Sequence, residues 1–184
     1  MEEKELIDAC SKNDQNACTF LFNKYAPQML MVCTRYMNNE DEAKDILQEG
    51  FIKVFESIKT YKAKGSFEGW IRRIMINEAL NSLRKKKKLM ASDEPIDENI
   101  AEPDNEEPVG IKGMNFSQEE LLTTLQSLPE PFKIVFNLYC FEKYSHKEIA
   151  KTLSIKTETS RSRLLRARII LQKKLVDLAT KKVH

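Results

Sequence analysis

The chain has 184 residues, and at roughly 150 residues per domain it can form one large domain or two small ones. Apolar residues make up 41% and charged residues 32%, with only five glycines, which fits a helical protein with a charged surface and excludes collagen, a disulfide miniprotein and a membrane-embedded bundle. No window approaches 18 uncharged apolar residues, and the opening MEEKELIDAC is acidic where a secretory signal needs a basic start, so a cytoplasmic protein without stable membrane insertion is expected.

From the N-terminus, Leu21, Phe22, Tyr25, Met29, Val32, Cys33 and Tyr36 recur at three- and four-residue steps, the period of one helix face. Pro27 falls inside that pattern and predicts a kink or local break near Tyr25. Asn39 or Asp41 can cap a second helix whose apolar face is Ala43, Ile46, Leu47, Phe51, Val54, Phe55 and Ile58, and residues 61–65 end the pattern. Ser66 opens a third helix with the stripe Phe67, Trp70, Ile71, Ile74, Met75 and Leu83, running into the basic tract at 84–88. The polar side of the second helix, Glu40, Asp41, Glu42, Asp45 and Glu49, is too acidic to lie on phosphates, and is either solvated or meets a protein. On the third helix, Trp70, Arg72, Arg73, Asn77 and Asn81 combine aromatic, cationic and amide groups suited to stacking on bases and neutralising phosphates. The spacing of Trp70 equally fits a core position.

Residues 91–115 hold eight carboxylates against Lys112 alone, a net charge of −7, and contain Pro95, Pro103 and Pro108; the remainder of the chain therefore carries +9. A run of this length without periodicity is expected to be a flexible acidic linker between a domain at 1–90 and another at 116–184.

The second domain begins with a capping box, Ser117-Gln118-Glu119-Glu120, and a helix to about Leu128. Pro129 and Pro131 separate it from another, which starts at Phe132 and runs to about Phe141. A second box, Ser145-His146-Lys147-Glu148, opens a short helix to Leu153, and after four residues a long basic helix runs to about Leu178. This is the helix-turn-helix pattern, in which the second helix offers its first turns to base edges in the major groove. Ile149, Ala150, Leu153, Ile155, Leu164, Leu165 and Ile169 are expected to fix the angle between the two helices.

The four cysteines, Cys10, Cys18, Cys33 and Cys140, have no CxxC spacing and only His146 and His184 to join them, so they read as structural thiols and no metal is expected. There is no phosphate loop, dinucleotide fingerprint, HExxH or GxSxG motif, so no catalytic residues and no cofactor are expected.

Two ordered blocks resemble bacterial sigma factors. Asp45-Ile46-Leu47-Gln48-Glu49-Gly50-Phe51, then Phe67-x-x-Trp70-Ile71-x-x-Ile74 and the helix from Asn77 to Arg84, are similar to region two. Leu128-Pro129, Phe136-x-Leu138, Ser145-His146-Lys147-Glu148-Ile149-Ala150-x-x-Leu153 and Thr159-Ser160-Arg161-Ser162-Arg163-Leu164-x-Arg166-Ala167-Arg168 are similar to region four. Having only these two regions makes the chain similar to the extracytoplasmic-function (ECF) group.

The resemblance implies an all-α fold of two small helical domains and a role in transcription initiation rather than catalysis. Asp45, Ile46, Gln48, Glu49 and Phe51 would grip the largest catalytic subunits of core RNA polymerase. Tyr61, Lys62, Lys64, Ser66, Phe67, Trp70, Arg73, Asn77, Asn81 and Arg84 would read and hold the single-stranded −10 element. Ser145, Lys147, Thr157, Glu158, Thr159, Ser160, Arg161, Ser162, Arg163 and Arg166 would read duplex −35 DNA. An anti-sigma factor is the expected regulatory partner. The chain departs from the family at Ser154, where a turn glycine is usual, and at Glu158, where a small residue is usual. Two alternatives explain less: a helix-turn-helix regulator that does not join polymerase, and a helical interaction scaffold whose basic residues are simply solvated.

Overall fold

Side-chain caps decide where the helices of the first half begin. The computed structural model describes residues 2–90 and 115–183, and the chain divides into two compact units, Met1–Ser92 and Asp93–His184. In the first unit Asp14 accepts from the Ala17 amide (2.9 Å) to start α2 (Gln15–Tyr36). Asn39 accepts from the Glu42 amide (2.8 Å) to start α3 (Glu40–Ser57). Each cap is worth about 1 kcal/mol, and Glu40, Asp41 and Glu42 add favourable charge at the positive end of the α3 dipole. A single 3-10 turn (Ile58–Thr60) follows, then α4 (Phe67–Met90).

Burial outweighs capping in holding these helices together, at about 1.5–3 kcal/mol for each large apolar side chain removed from water. Ala43, Ile46, Leu47, Phe51 and Val54 of α3 are buried with Phe67, Ile71, Met75, Ile76, Ala79, Leu80 and Leu83 of α4, and α2 packs on both helices. A Cβ at Gly50 would overlap Met75 Sδ, so the Met75 side chain of α4 occupies the space that a side chain at position 50 of α3 would need. The pair Lys53 Nζ–Glu78 Oε2 (2.6 Å) links the same two helices, with the carboxylate buried.

Two features of this unit differ from the sequence pattern. An additional helix, α1 (Glu3–Ser11), packs on α2 and on the 3-10 turn through buried Leu6 and Cys10. And α2 runs unbroken through Pro27. Pro27 removes the amide that would serve the Asn23 carbonyl, but both residues are exposed, so water can satisfy that carbonyl and the expected break does not occur.

The second unit contains α5 (Gln118–Gln126), α6 (Glu130–Phe136), α7 (His146–Leu153) and α8 (Thr157–Val183), with a π-helical turn (Asn137–Phe141) extending α6. Both expected capping boxes form. Ser117 Oγ accepts from the Glu120 amide (3.1 Å) while Glu120 Oε2 accepts from the Ser117 amide (2.8 Å), and Ser145 and Glu148 do the same at 3.3 and 2.8 Å. Leu125, Leu128, Phe132 and Ala167 form one core, with Phe136, Ile170 and Leu171 against it. Lys133 and Asn137 are also buried, which the spacing of apolar residues gave no reason to expect. The far end of α8 is tied back by Lys174 Nζ to Ser127 Oγ (2.8 Å) and by Lys182 Nζ to Glu120 Oε2 (2.7 Å). All regular structure among the described residues is helical. The acidic linker at 91–115 lies outside the described residues except for Asn115.

The α7–α8 turn is closed by Ser154 in a left-handed conformation (φ 55°, ψ 43°), with its amide on the Ala150 carbonyl and the Ile155 amide on the same oxygen (3.0 Å). A left-handed conformation costs a residue with a Cβ about 1–2 kcal/mol, which explains why glycine is the expected occupant of this turn. Ser154→Gly should therefore raise the stability of the second unit by about 1 kcal/mol, read as a higher thermal midpoint. An unchanged or lower midpoint would show that the serine bears no strain.

Candidate nucleic-acid and protein-binding faces

The faces available to partners are those the cores leave uncovered. On α3, Asp45, Gln48 and Glu49 point outward, and Ile52 joins them one turn later with 58% of its surface exposed. Spacings of three, four and seven residues put these four on a single stripe. Ile46 and Phe51, expected as partner contacts, are instead interior. The Phe51 ring lies 4.8 Å from that of Phe22 and 6.1 Å from that of Phe55. These two residues hold the helix in place and do not present a surface. Ile52 was the residue the motif did not flag; its i+4 relation to Gln48 was the signal.

The segment leading into α4 is shaped by an aromatic cluster. Phe67 is fully buried, with the Trp70 ring stacked on it (5.5 Å, 16°), Tyr61 meeting it edge-on at 5.0 Å and Tyr25 at 5.8 Å. Phe67 is thus the floor of the cluster and not a contact residue, because its ring is covered on both sides. Tyr61 and Trp70, 5.5 Å apart and half-buried, form the accessible part. Between them, Lys62, Lys64 and Ser66 are exposed on a loop in which Ala63 (φ 54°) and Gly65 (φ 104°) are both left-handed. The Tyr61 hydroxyl donates to the Gly65 carbonyl (2.8 Å), and Ser66 Oγ accepts from the Gly69 amide (3.1 Å), fixing the loop at both ends.

From Ser66 the α4 stripe continues through Trp70, Arg73, Asn77, Asn81 and Arg84, steps of four, three, four, four and three, about 27 Å along the axis. Arg73, Asn77 and Arg84 are exposed, and Arg84 Nη1 donates to Asn81 Oδ1 (3.4 Å). Lys86 of the basic tract pairs with Glu42 on α3 (2.7 Å), and that contact holds the Glu42 carboxyl below its ordinary range.

In the second unit, Ser145 and Lys147 are exposed at the start of α7, and Glu158, Arg161 and Ser162 are exposed on the first two turns of α8. Thr157, Thr159, Arg163 and Arg166 flank them, half-buried. Ser160 is completely buried, and its hydroxyl meets His146 Nδ1 at 3.0 Å. It joins α7 to α8 and does not face outward as expected. The other face of the imidazole stacks on Tyr139 (4.7 Å), over which Arg168 also lies (5.8 Å). Burial, and then the charges of Arg161 and Arg168, push the His146 pKa down, which favours the neutral ring. His146, which in sequence is only a first-turn helix residue, therefore sets the position of the α8 N-terminus.

Leu165 corrects another expectation. Instead of packing between α7 and α8 it is 57% exposed, on the stripe of Glu158, Arg161 and Ser162, while Leu164 and Ala167 take the core positions. The outward face of α8 thus combines a carboxylate, a guanidinium, a hydroxyl and a bare apolar side chain.

Known proteins match this arrangement region by region. The family Sigma-70 region 2 matches residues 21–89, and Sigma-70, region 4 matches residues 118–171. The RNA polymerase sigma-H factor of Pseudomonas aeruginosa is 28% identical, over 96% of this chain and 95% of its own length. The ECF RNA polymerase sigma-E factor of Haemophilus influenzae is also 28% identical, covering 97% of each chain. Among solved structures, the sigma factor RpoE of Bartonella quintana, in complex with the anti-sigma factor NepR, shares the fold with a TM-score of 0.55 at 20% identity, over 85% of this chain and 95% of that one. Two sigma-70 regions in order, together with likeness to ECF factors along nearly the whole length, place the chain in the sigma-70 family, as an RNA polymerase sigma factor of the extracytoplasmic-function group that acts in transcription initiation.

Proposed function

We propose that the two units divide initiation between them. The first unit holds core polymerase through the α3 stripe of Asp45, Gln48, Glu49 and Ile52, and takes the separated −10 strand along the loop at 61–66 and the α4 stripe. The second unit reads the −35 duplex with Arg161, Ser162 and Leu165. What supports this division is that one helical bundle carries two chemically distinct faces. The α3 stripe pairs acid and amide with an exposed isoleucine, a mixture suited to a protein surface. The α4 stripe pairs aromatic, amide and guanidinium groups without a carboxylate, suited to unpaired bases and their phosphates. Tyr61 and Trp70 offer ring surface to a base lifted out of the duplex.

In this reading the chain contributes binding and no bond-making chemistry, needs no cofactor, and works in the cytoplasm where core polymerase is. An anti-sigma protein that covers these faces is its regulator. The Bartonella quintana factor is solved in complex with the anti-sigma factor NepR.

The central experiment is run-off transcription with purified core polymerase on genomic fragments, which should give discrete new start sites only when this chain is added. The faces should then separate by mutation. Asp45→Ala combined with Gln48→Ala should weaken core binding about tenfold while leaving −35 duplex binding intact, and Arg161→Ala should cost about 1–3 kcal/mol of −35 affinity while core binding persists. Equal loss of both activities in every variant would mean misfolding and would remove the support for the division.

Leu165 gives the −35 reading an atomic test. An exposed leucine beside Arg161 and Ser162 suits the C5-methyl group of thymine. On a −35 duplex selected from a randomised pool, replacing the contacted thymine by uracil removes one methyl and should weaken binding about fourfold, whereas Leu165→Ala should bind both duplexes alike. If Leu165→Ala discriminates thymine from uracil as well as the unaltered chain does, the contact lies elsewhere.

A further inference from the structure

The α8 stripe that carries Arg161, Ser162 and Leu165 opens with a carboxylate. Glu158 is exposed in the first turn, three, four and seven residues before those side chains, so the four share one face of the helix. In this unit the first-turn carboxylates of α5 and α7 serve the fold. Glu120 and Glu148 each accept from the backbone amide of the serine that caps their helix (both 2.8 Å). Glu158 is not placed to do the same. That bond is made from the third helical position, and Glu158 is the second residue of a helix that begins at Thr157. Among the described residues its carboxylate has no hydrogen-bond or ion-pair partner, Arg161 included.

We propose, on the −35 role given above to this face, that Glu158 is a base-selecting residue and that the base it selects is cytosine. A carboxylate only accepts hydrogen bonds, so it needs a donor on the base edge and is repelled by acceptors there. In the major groove guanine presents two acceptors, N7 and O6, and thymine presents O4. Adenine has an amine, but its N7 acceptor stands beside it. Cytosine presents the N4 amine as its groove-side donor. Glu158 therefore penalises every duplex that does not set a cytosine amine opposite it. Selection comes as much from rejecting the other bases as from the bond itself.

Helix geometry places the cytosine. With α8 lying along the groove at about 1.5 Å per residue, Glu158 and Leu165 are about 10.5 Å apart on the axis, or roughly three base steps of about 3.4 Å. Arg161 stands between them, about 4.5 Å from Glu158, and suits a guanine in the interval. The cytosine is thus expected about three pairs from the thymine whose methyl meets Leu165, on the side of the α8 N-terminus.

The test repeats the duplex selection with the full chain and with two variants of it, each compared at a melting curve matching that of the unaltered chain. The unaltered chain should fix one cytosine about three pairs from the contacted thymine, and changing that C·G pair to T·A should weaken its binding about tenfold. Glu158→Gln puts an amide in the same place, which donates as well as accepts, and should move the preference at that one pair to adenine. Glu158→Ala should bind all four pairs alike at that position while keeping the thymine preference that belongs to Leu165. If both variants change the affinity for every duplex by one common factor and leave the base preferences as they were, the carboxylate acts only on phosphates or on the helix dipole, and the proposal fails while the −35 role stands. A responding pair that carries another base in place of cytosine would overturn it equally. A pool from which no duplex is enriched would overturn the proposal and the −35 role together.

Discussion

The close approach of α3 to α4 at Gly50 and Met75 decides what the first unit can present to the outside. Once that contact is made, the period of the helix turns Ile46, Phe51 and Val54 inward and leaves Asp45, Gln48, Glu49 and Ile52 outward. The same contact orients α4, so that burying Ile71, Met75 and Ala79 exposes Arg73, Asn77 and Arg84. Neither candidate face is an addition to the fold. Each is the reverse of a core face, and the Met75 side chain fills the space left by the missing side chain at residue 50. The Lys53–Glu78 pair lies across the same interface, where a slip of one residue would strand its buried carboxylate without a cation.

The second unit uses polar contacts for a similar purpose. Ile149, Ala150 and Leu164 set how far apart α7 and α8 stand, but apolar packing tolerates sliding. The hydrogen bond between His146 and Ser160, with Tyr139 behind it and Arg168 above the Tyr139 ring, fixes the rotation of α8 about its own axis. That rotation determines which of Arg161, Ser162 and Leu165 faces outward. The burial that lowers the pKa of His146 favours the neutral imidazole in that bond, with the Ser160 hydroxyl as donor or acceptor according to the tautomer.

The helices with long apolar stripes were legible in the sequence, as were the two capping boxes, because period and cap chemistry are local. Helix α1 was not. It buries only Leu6 and Cys10, and its N-cap is Glu2 rather than a Ser, Thr, Asp or Asn. The candidate faces were legible as elements but not as residues. A motif marks a block of chain, and the blocks at 45–51, 61–67 and 157–166 contain both exposed side chains and the buried ones that hold them, so Ile46, Phe51, Phe67 and Ser160 were grouped with their outward neighbours. Leu164 and Leu165 are adjacent and chemically identical, and only the position of α7 decides between them. His146 and Ser160 meet across 14 residues, beyond what any local pattern can reveal.

The ion pair between Lys86 and Glu42 bears on how ionic strength acts on this protein. A lysine that meets a phosphate gains from the release of the cations condensed along a nucleic-acid strand. Lys86 already has a carboxylate as its counter-ion, and to reach a phosphate it must leave Glu42 uncompensated near the start of α3. Its net contribution to counter-ion release is therefore smaller than that of a lysine that leaves no carboxylate behind. At Lys86, at least, a basic letter in the sequence overstates the charge that is at hand for a phosphate.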